Sequence, residues 1–113
     1  IRDLIVTGVQ TCALPISTRS YTMQATEKRG ELKLQNQYSI LDSGSSSYYP
    51  YAFGIKTGYT SLAGQCYVGA AEKDGHTLIA VVLKSGLSKT DKWQDAARLF
   101  EYGFAALELD EAA

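Results

Sequence analysis

After its first 17 residues, the chain changes its polar and apolar rhythm three times. Residues 20–25 (SYTMQA) alternate with the period of a strand. They give way to a polar stretch over 26–30, and Leu32 and Leu34 then alternate with Lys33 and Gln35. This predicts a hairpin with a loop of several residues. Residues 42–47 (DSGSSS) have the composition of a flexible loop. Residues 48–53 (YYPYAF) are dense in aromatics, and Pro50 forbids a central strand there because it has no N–H for a ladder. Two further runs, 65–72 (QCYVGAAE) and 76–84 (HTLIAVVLK), flank Lys73-Asp74-Gly75. That triplet predicts a hairpin turn, since Gly75 can take the positive φ required. The unbroken apolar block 78–83 predicts a strand buried on both faces, in the interior of a sheet.

The last rhythm is helical. Trp93, Ala96, Ala97, Phe100, Phe104 and Leu107 recur at steps of three and four. Ser88 and Asp91 stand at capping-box spacing, with Ser88 as the cap. Burying Trp93, Phe100 and Phe104 should contribute about 1.5–3 kcal/mol each. Asp110 and Glu111 read as a polar tail over 109–113. The order of hairpin, loop, three sequential strands and helix predicts an α+β fold, an antiparallel sheet with a C-terminal helix packed on it.

Composition adds mainly exclusions. The 113 residues are 45% hydrophobic and 20% charged, as expected of one globular domain or part of one. A net charge of -1 offers no electrostatic case for nucleic acid or anionic membrane. No apolar run reaches the roughly 18 residues of a membrane span. Two cysteines and one histidine do not make a four-ligand zinc site of the usual kind. Cys12 and Cys66 read as two unpaired thiols, and Cys66 as inert packing in a strand. His76 reads as a surface residue of the hairpin.

The front end stands apart. Residues 1–17 fit a signal peptide poorly, because Asp3 sits beside the only basic residue and Gln10 and Thr11 interrupt the apolar run. The string VTGVQTCALPI, residues 6–16, resembles the conceptual translation of a sequencing-adapter oligonucleotide. The competing reading is an amphipathic strand ended by Pro15. Residues 1–17 are therefore expected to be non-native and are set aside from fold reasoning. With Ile1 as first residue, the chain is expected to be a fragment.

Specific chemistry enters at residues 54–60, GIKTGYT. Alone, Lys56-Thr57-Gly58 is a common triplet. Here it follows an aromatic, Pro-containing turn and precedes a strand, a hairpin, another strand and an amphipathic helix. That arrangement resembles the C-terminal part of the serine D-alanyl-D-alanine carboxypeptidases, the low-molecular-mass penicillin-binding proteins, for which K-T-G is one of three motifs. Residues 48–64 (YYPYAFGIKTGYTSLAG) resemble the family's segment around the motif and 17–28 (STRSYTMQATEK) the strand upstream. LIAVVL (78–83) and DAARLFEYGF (95–104) resemble the strand after the hairpin and the closing helix. Residues 18–108 are thus expected to be the C-terminal part of the catalytic domain. The resemblance implies no metal or organic cofactor.

These residue types suit a peptide substrate ending in a free carboxylate. An edge strand can pair with an extended peptide, a lysine supplies positive charge, a hydroxyl supplies a directed donor, and glycine permits close approach. By period two, Lys56 and Gly58 share one face of the strand, Thr57 and Tyr59 the other. The resemblance implies that Lys56 shapes the electrostatics and contacts the serine of the S-x-N motif, and that Thr57 holds the terminal carboxylate. It also implies that the backbone N–H of Tyr59 forms half of the oxyanion hole, a donor worth about 3–4 kcal/mol in the transition state. Thr60 is a weaker candidate for lining the cleft. Many family members have a basic residue after the third strand that helps to bind the carboxylate. Here residues 85–92 (SGLSKTDK) offer both Lys89 and Lys92, and the role is assigned to neither. Tyr48, Tyr49 and Tyr51 read as rim packing beside the cleft rather than a glycan platform.

No lysine has a serine three positions before it, and the only asparagine, Asn36, has Leu34 two positions before it. Both S-x-x-K and S-x-N are therefore absent. A serine acyl-transfer enzyme needs a nucleophile and a base. The chain alone is expected neither to hydrolyse peptides nor to be acylated by penicillin. The expected partners of the intact parent are a peptidoglycan stem peptide ending in D-Ala-D-Ala and β-lactams, with a membrane anchor left open. The expected location is the periplasm or cell envelope. A serine β-lactamase-like fragment and a non-catalytic wall-peptide-binding module are the alternatives. A sheet face meant for missing helices should lie exposed, leaving the isolated chain marginally stable and prone to aggregate.

Overall fold

A computed structural model describes residues 17–112. The first two strands, β1 (Ser20–Met23) and β2 (Leu32–Gln35), pair antiparallel with Ser20 opposite Gln35. Their apolar side chains pack little: Tyr21, Leu32 and Leu34 are all exposed. What holds the hairpin is polar. The Arg19 guanidinium pairs with the Asp42 carboxylate and donates to the Leu41 carbonyl.

A 3₁₀ turn, Ser39–Leu41, leads into the 42–47 loop. The loop is a series of tight turns, with Ser45 N–H bonded to the Asp42 carbonyl at 2.8 Å and Gly44 N–H to Asp42 Oδ1 at 2.9 Å. Its composition signalled flexibility, but nearby carbonyl and side-chain acceptors satisfy its backbone donors.

The second sheet holds β3 (Ala52–Thr60), β4 (Gly64–Lys73) and β5 (His76–Ser85) in the order β3-β4-β5, antiparallel throughout. Asp74 (φ 52°) and Gly75 (φ 79°) both take the left-handed conformation in the β4–β5 turn, as the sequence predicts. The expected interior strand is corrected, because β5 is an edge. Among the described residues it pairs only with β4, and Ile79, Val81 and Leu83 are 70%, 56% and 73% exposed. Its continuous apolar run has just one covered face, that of Ala80 and Val82.

The helix α1 (Asp91–Ala112) covers that face. Trp93, Ala96, Phe100 and Phe104 are buried, with Ala97 and Leu107 packed beside them. Ser88 N–H bonds Asp91 Oδ2 at 3.1 Å and Thr90 N–H bonds Ser88 Oγ at 3.3 Å, so the capping pair forms one turn ahead of the helix proper. The helix continues through the polar residues placed in a tail, and Glu111 Oε1 lies 2.6 Å from His76 Nε2. Rings from β4 and from the connecting segments that flank residues 39–47 complete the core under the helix. Trp93 meets Tyr67 at 4.8 Å and Tyr38 at 5.6 Å, and Phe100 stacks on Tyr49 at 5.7 Å. Tyr49 is therefore core packing under the helix, not rim packing, and Tyr51 meets Phe104 edge-on.

No described helix is long and apolar enough to cross a membrane. No described group of three His, Cys, Asp or Glu is placed to hold a metal ion. Cys12 lies outside the described residues.

Candidate functional site

The K-T-G strand is the other edge of the sheet. Among the described residues β3 pairs only with β4, with Lys56 opposite Val68, Thr57 opposite Tyr67, Gly58 opposite Cys66 and Tyr59 opposite Gln65. Directly opposed residues in an antiparallel pair share a face. Tyr67 is buried against Trp93, so Thr57 and Tyr59 lie on the helix side. Lys56 and Gly58 lie on the opposite face with Cys66, Val68, Ile79, Val81 and Leu83. The period-two assignment of the four motif residues is therefore observed. Lys56, Gly58, Tyr59 and Thr60 are exposed and Thr57 is half-buried.

The polypeptide presents an unpaired edge here. The Ile55 carbonyl accepts from Tyr38 Oη at 3.4 Å, and the Thr57 carbonyl from Lys56 Nζ at 3.1 Å. Alternate residues of a strand direct their main-chain groups to the same edge. Tyr59 is the next member of that series, which turns its N–H outward from β4.

A bulge fixes the near end of this strand. The register slips between Phe53 and Ile55 at Gly54, whose φ is 52° and whose carbonyl accepts the Tyr67 hydroxyl. Burial raises the Tyr67 phenol well above its ordinary value, so it stays a neutral donor. Its ring folds across Gly69, where an added Cβ would stand 2.2 Å from the Tyr67 hydroxyl oxygen. Gly69 thus clears the space in which Tyr67 braces β3 from beneath.

The far end is fixed to the helix. A second bulge, with Lys84 at φ 50°, returns Ser85 to the covered face, where its hydroxyl donates to Asp95. Beside it, Lys92 Nζ donates to Gln65 Oε1 at 2.6 Å and stands 5.0 Å from the centre of the Trp93 ring. Burial, reinforced by Lys89, lowers the Lys92 pKa. Gln65 escaped the sequence reading entirely. The only signal was a polar residue at an inward position of a strand. The half-buried Cys66 thiol is 3.5 Å from the Ala63 carbonyl oxygen.

The wall is open rather than enclosed. A cavity of about 500 Å³ lies elsewhere, at the base of the hairpin between Arg19, Tyr21, Leu34 and Asn36. A strand edge with charge, hydroxyl and outward amides can bind an extended peptide. It contains no nucleophile with an adjacent base.

Comparison with known proteins meets the geometry at this strand. Residues 3–86 match the family model for D-alanyl-D-alanine carboxypeptidase (peptidase S11). That range starts within the set-aside residues 1–17 and includes the whole adapter-like string 6–16. The chain is 40% identical over 79 residues to the D-alanyl-D-alanine carboxypeptidase DacB2 of Mycobacterium tuberculosis, covering 67% of this chain and 25% of that protein. It is 34% identical over 90 residues to the D-alanyl-D-alanine carboxypeptidase of Streptomyces sp. K15, covering 80% of this chain and 30% of that one. The solved Streptomyces K15 DD-transpeptidase superposes with a TM-score of 0.69 at 32% identity, over 85% of this chain and 36% of that structure. Penicillin-binding protein D2 of Listeria monocytogenes, in its ampicillin-bound form, superposes with a TM-score of 0.67 at 29% identity, over 88% and 36%. The chain thus spans a quarter to a third of the length of these curated relatives.

Proposed function

This chain belongs to the D-alanyl-D-alanine carboxypeptidase family, and from that premise we propose that it forms the substrate-binding wall of a serine-type enzyme that removes the terminal D-Ala from peptidoglycan stem peptides. Residues 18–108 are the C-terminal part of the catalytic domain. The nucleophilic serine and its lysine come from polypeptide outside these 113 residues, as S-x-x-K and S-x-N are absent here. The observation that carries the reading is Lys56-Thr57-Gly58 on the unpaired edge of a sheet that α1 seals on one face only.

The stem peptide lies along β3 as an added antiparallel strand. The Thr57 hydroxyl donates to its terminal carboxylate, and the Lys92 ammonium, on the same face, supplies the charge. Of the two lysines left open, Lys92 is the one directed at the K-T-G end, through the cross-strand partner of Tyr59. Lys56, on the other face, is turned towards the missing part of the domain and raises the potential around the incoming serine. When that serine attacks the penultimate D-Ala carbonyl, the outward N–H of Tyr59 donates to the developing oxyanion. D-Ala leaves, and water hydrolyses the acyl-enzyme. A β-lactam, which carries a carboxylate beside a reactive carbonyl, engages the same donors. The enzyme acts in the cell envelope, where its substrate is.

The test is acylation by a fluorescent penicillin in the full-length protein that contains this segment. The full-length protein becomes labelled and this chain does not. Thr57→Ala slows labelling about tenfold, the usual loss of a hydrogen bond to a charged group. A full-length sequence without S-x-x-K, or one that has it and stays unlabelled, overturns the proposal and leaves a non-catalytic wall-peptide-binding module.

A further inference from the structure

We infer that Gln65 is a positioning residue that holds the Lys92 ammonium beside the K-T-G strand without neutralising it. The inference rests on the carboxylate-binding role proposed for Lys92 above.

Lys92 stands where a cation should not settle unaided. It is the second residue of α1, at the helix end whose exposed N–H groups repel positive charge. Lys89 lies close enough to add to that repulsion. A four-carbon stem left to itself would swing into solvent, keeping its rotamer freedom and its hydration. The structure instead draws the head group inward. Gln65 is only 7% exposed, sits on the covered face of β4 directly across from Tyr59, and accepts from Lys92 Nζ. The Trp93 ring, its centre 5.0 Å from Lys92 Nζ, adds a second contact to the ammonium. The neighbouring bond from Ser85 to Asp95 anchors the same helical turn to the same end of the sheet.

The chemistry of the acceptor matters. A glutamate at position 65 would hold the lysine more strongly but would cancel its charge. An apolar residue would leave the charge unheld. A neutral amide oxygen fixes the ammonium and leaves its field available to a substrate carboxylate.

Two variants separate holding from charge. In this chain, the side-chain ammonium signal of Lys92 in ¹⁵N NMR should be protected from solvent exchange, lost in Gln65→Leu and kept in Gln65→Glu. In the full-length protein, the ratio of acylation rates for a peptide ending in D-Ala carboxylate over its C-terminal amide should fall about tenfold in both variants, the scale of one charge-assisted hydrogen bond. A merely structural role would slow both peptides alike and leave that ratio unmoved. A Lys92 signal unchanged in Gln65→Leu, or a ratio within twofold of the parent in either variant, overturns the inference. If the unsubstituted full-length protein turns over neither peptide, the functional reading fails, and the NMR comparison still decides whether Gln65 holds Lys92.

Discussion

The two faces of the β3–β5 sheet carry similar apolar residues and meet opposite fates. On one face Tyr67, Ala71, Ala80 and Val82 are sealed beneath Trp93, Phe100 and Phe104. On the other, which also carries Lys56, the side chains of Ile79, Val81 and Leu83 stand open. One strand, β5, contributes to both sets by simple alternation, Ala80 and Val82 to the first and Ile79, Val81 and Leu83 to the second. The covered face can therefore stabilise the fold, while the open face and the β3 edge are left for something else to complete. Packing belongs to the covered face, while the motif sits at the β3 edge, where Thr57 on the covered side and Lys56 on the open side meet.

The contrast breaks most decisively at Phe100. This ring is 1% exposed and stacked on Tyr49, so Phe100→Ala removes the centre of the covered face. The expected cost is about 3–5 kcal/mol, a large part of the roughly 5–15 kcal/mol that stabilises an ordinary domain. Urea unfolding followed by circular dichroism should show the variant largely unfolded in buffer. A shift under 1 kcal/mol would mean that the helix is not what holds the sheet.

The open face should respond in the opposite manner. Val81→Lys should change stability by no more than about 0.5 kcal/mol, as expected for an exposed site. Its visible effect should be on association. A ten-residue edge strand with an open apolar row is a template for self-pairing, and a lysine blunts it. Gel filtration of the parent chain should show species larger than a monomer, and Val81→Lys should shift them towards monomer. A parent that is monomeric with a sharp, cooperative melt would contradict the picture of a half-covered sheet.

Periodicity made the covered face legible and left the open one unread. The stripe from Trp93 to Leu107 and the Lys73-Asp74-Gly75 turn are local signals, and both appear as expected. The block over 78–83 misled because a continuous apolar run ordinarily means two covered faces, and here nothing among the described residues covers the second. The K-T-G residues were legible because motif and strand period agree, which places Lys56 and Thr57 on opposite faces. Gln65 and Lys92 were not. Their bond spans 27 positions, and it exists only once β4 and α1 have packed. The two bulges were equally silent, being set by how Tyr67 and Ser85 reach partners on other elements.

The smallest expected effect concerns the β1–β2 hairpin, which has no sealed face of its own. Where the sheet is held by packing, the hairpin is held by charge, through Arg19 and Asp42. The Asp42 carboxyl accepts from Gly44 N–H and from Arg19, and both lower its pKa below the ordinary 3.8. A depressed folded value means the carboxylate contributes fully above 3.8, and the contribution is lost as pH falls through the lower, folded value. The Arg19–Asp42 pair is partly exposed, about 40% on each side chain, so the effect on global unfolding should be slight. It should show locally, as faster amide exchange in β1 and β2 on acidification while the amides of β4 hold. Asp42→Asn should exchange faster at neutral pH and lose that acid dependence. A carboxyl that titrates at or above 3.8 by NMR, or a hairpin whose exchange ignores its protonation, would show that packing holds this region as well, and the division between a packed layer and a charge-tied one would fall.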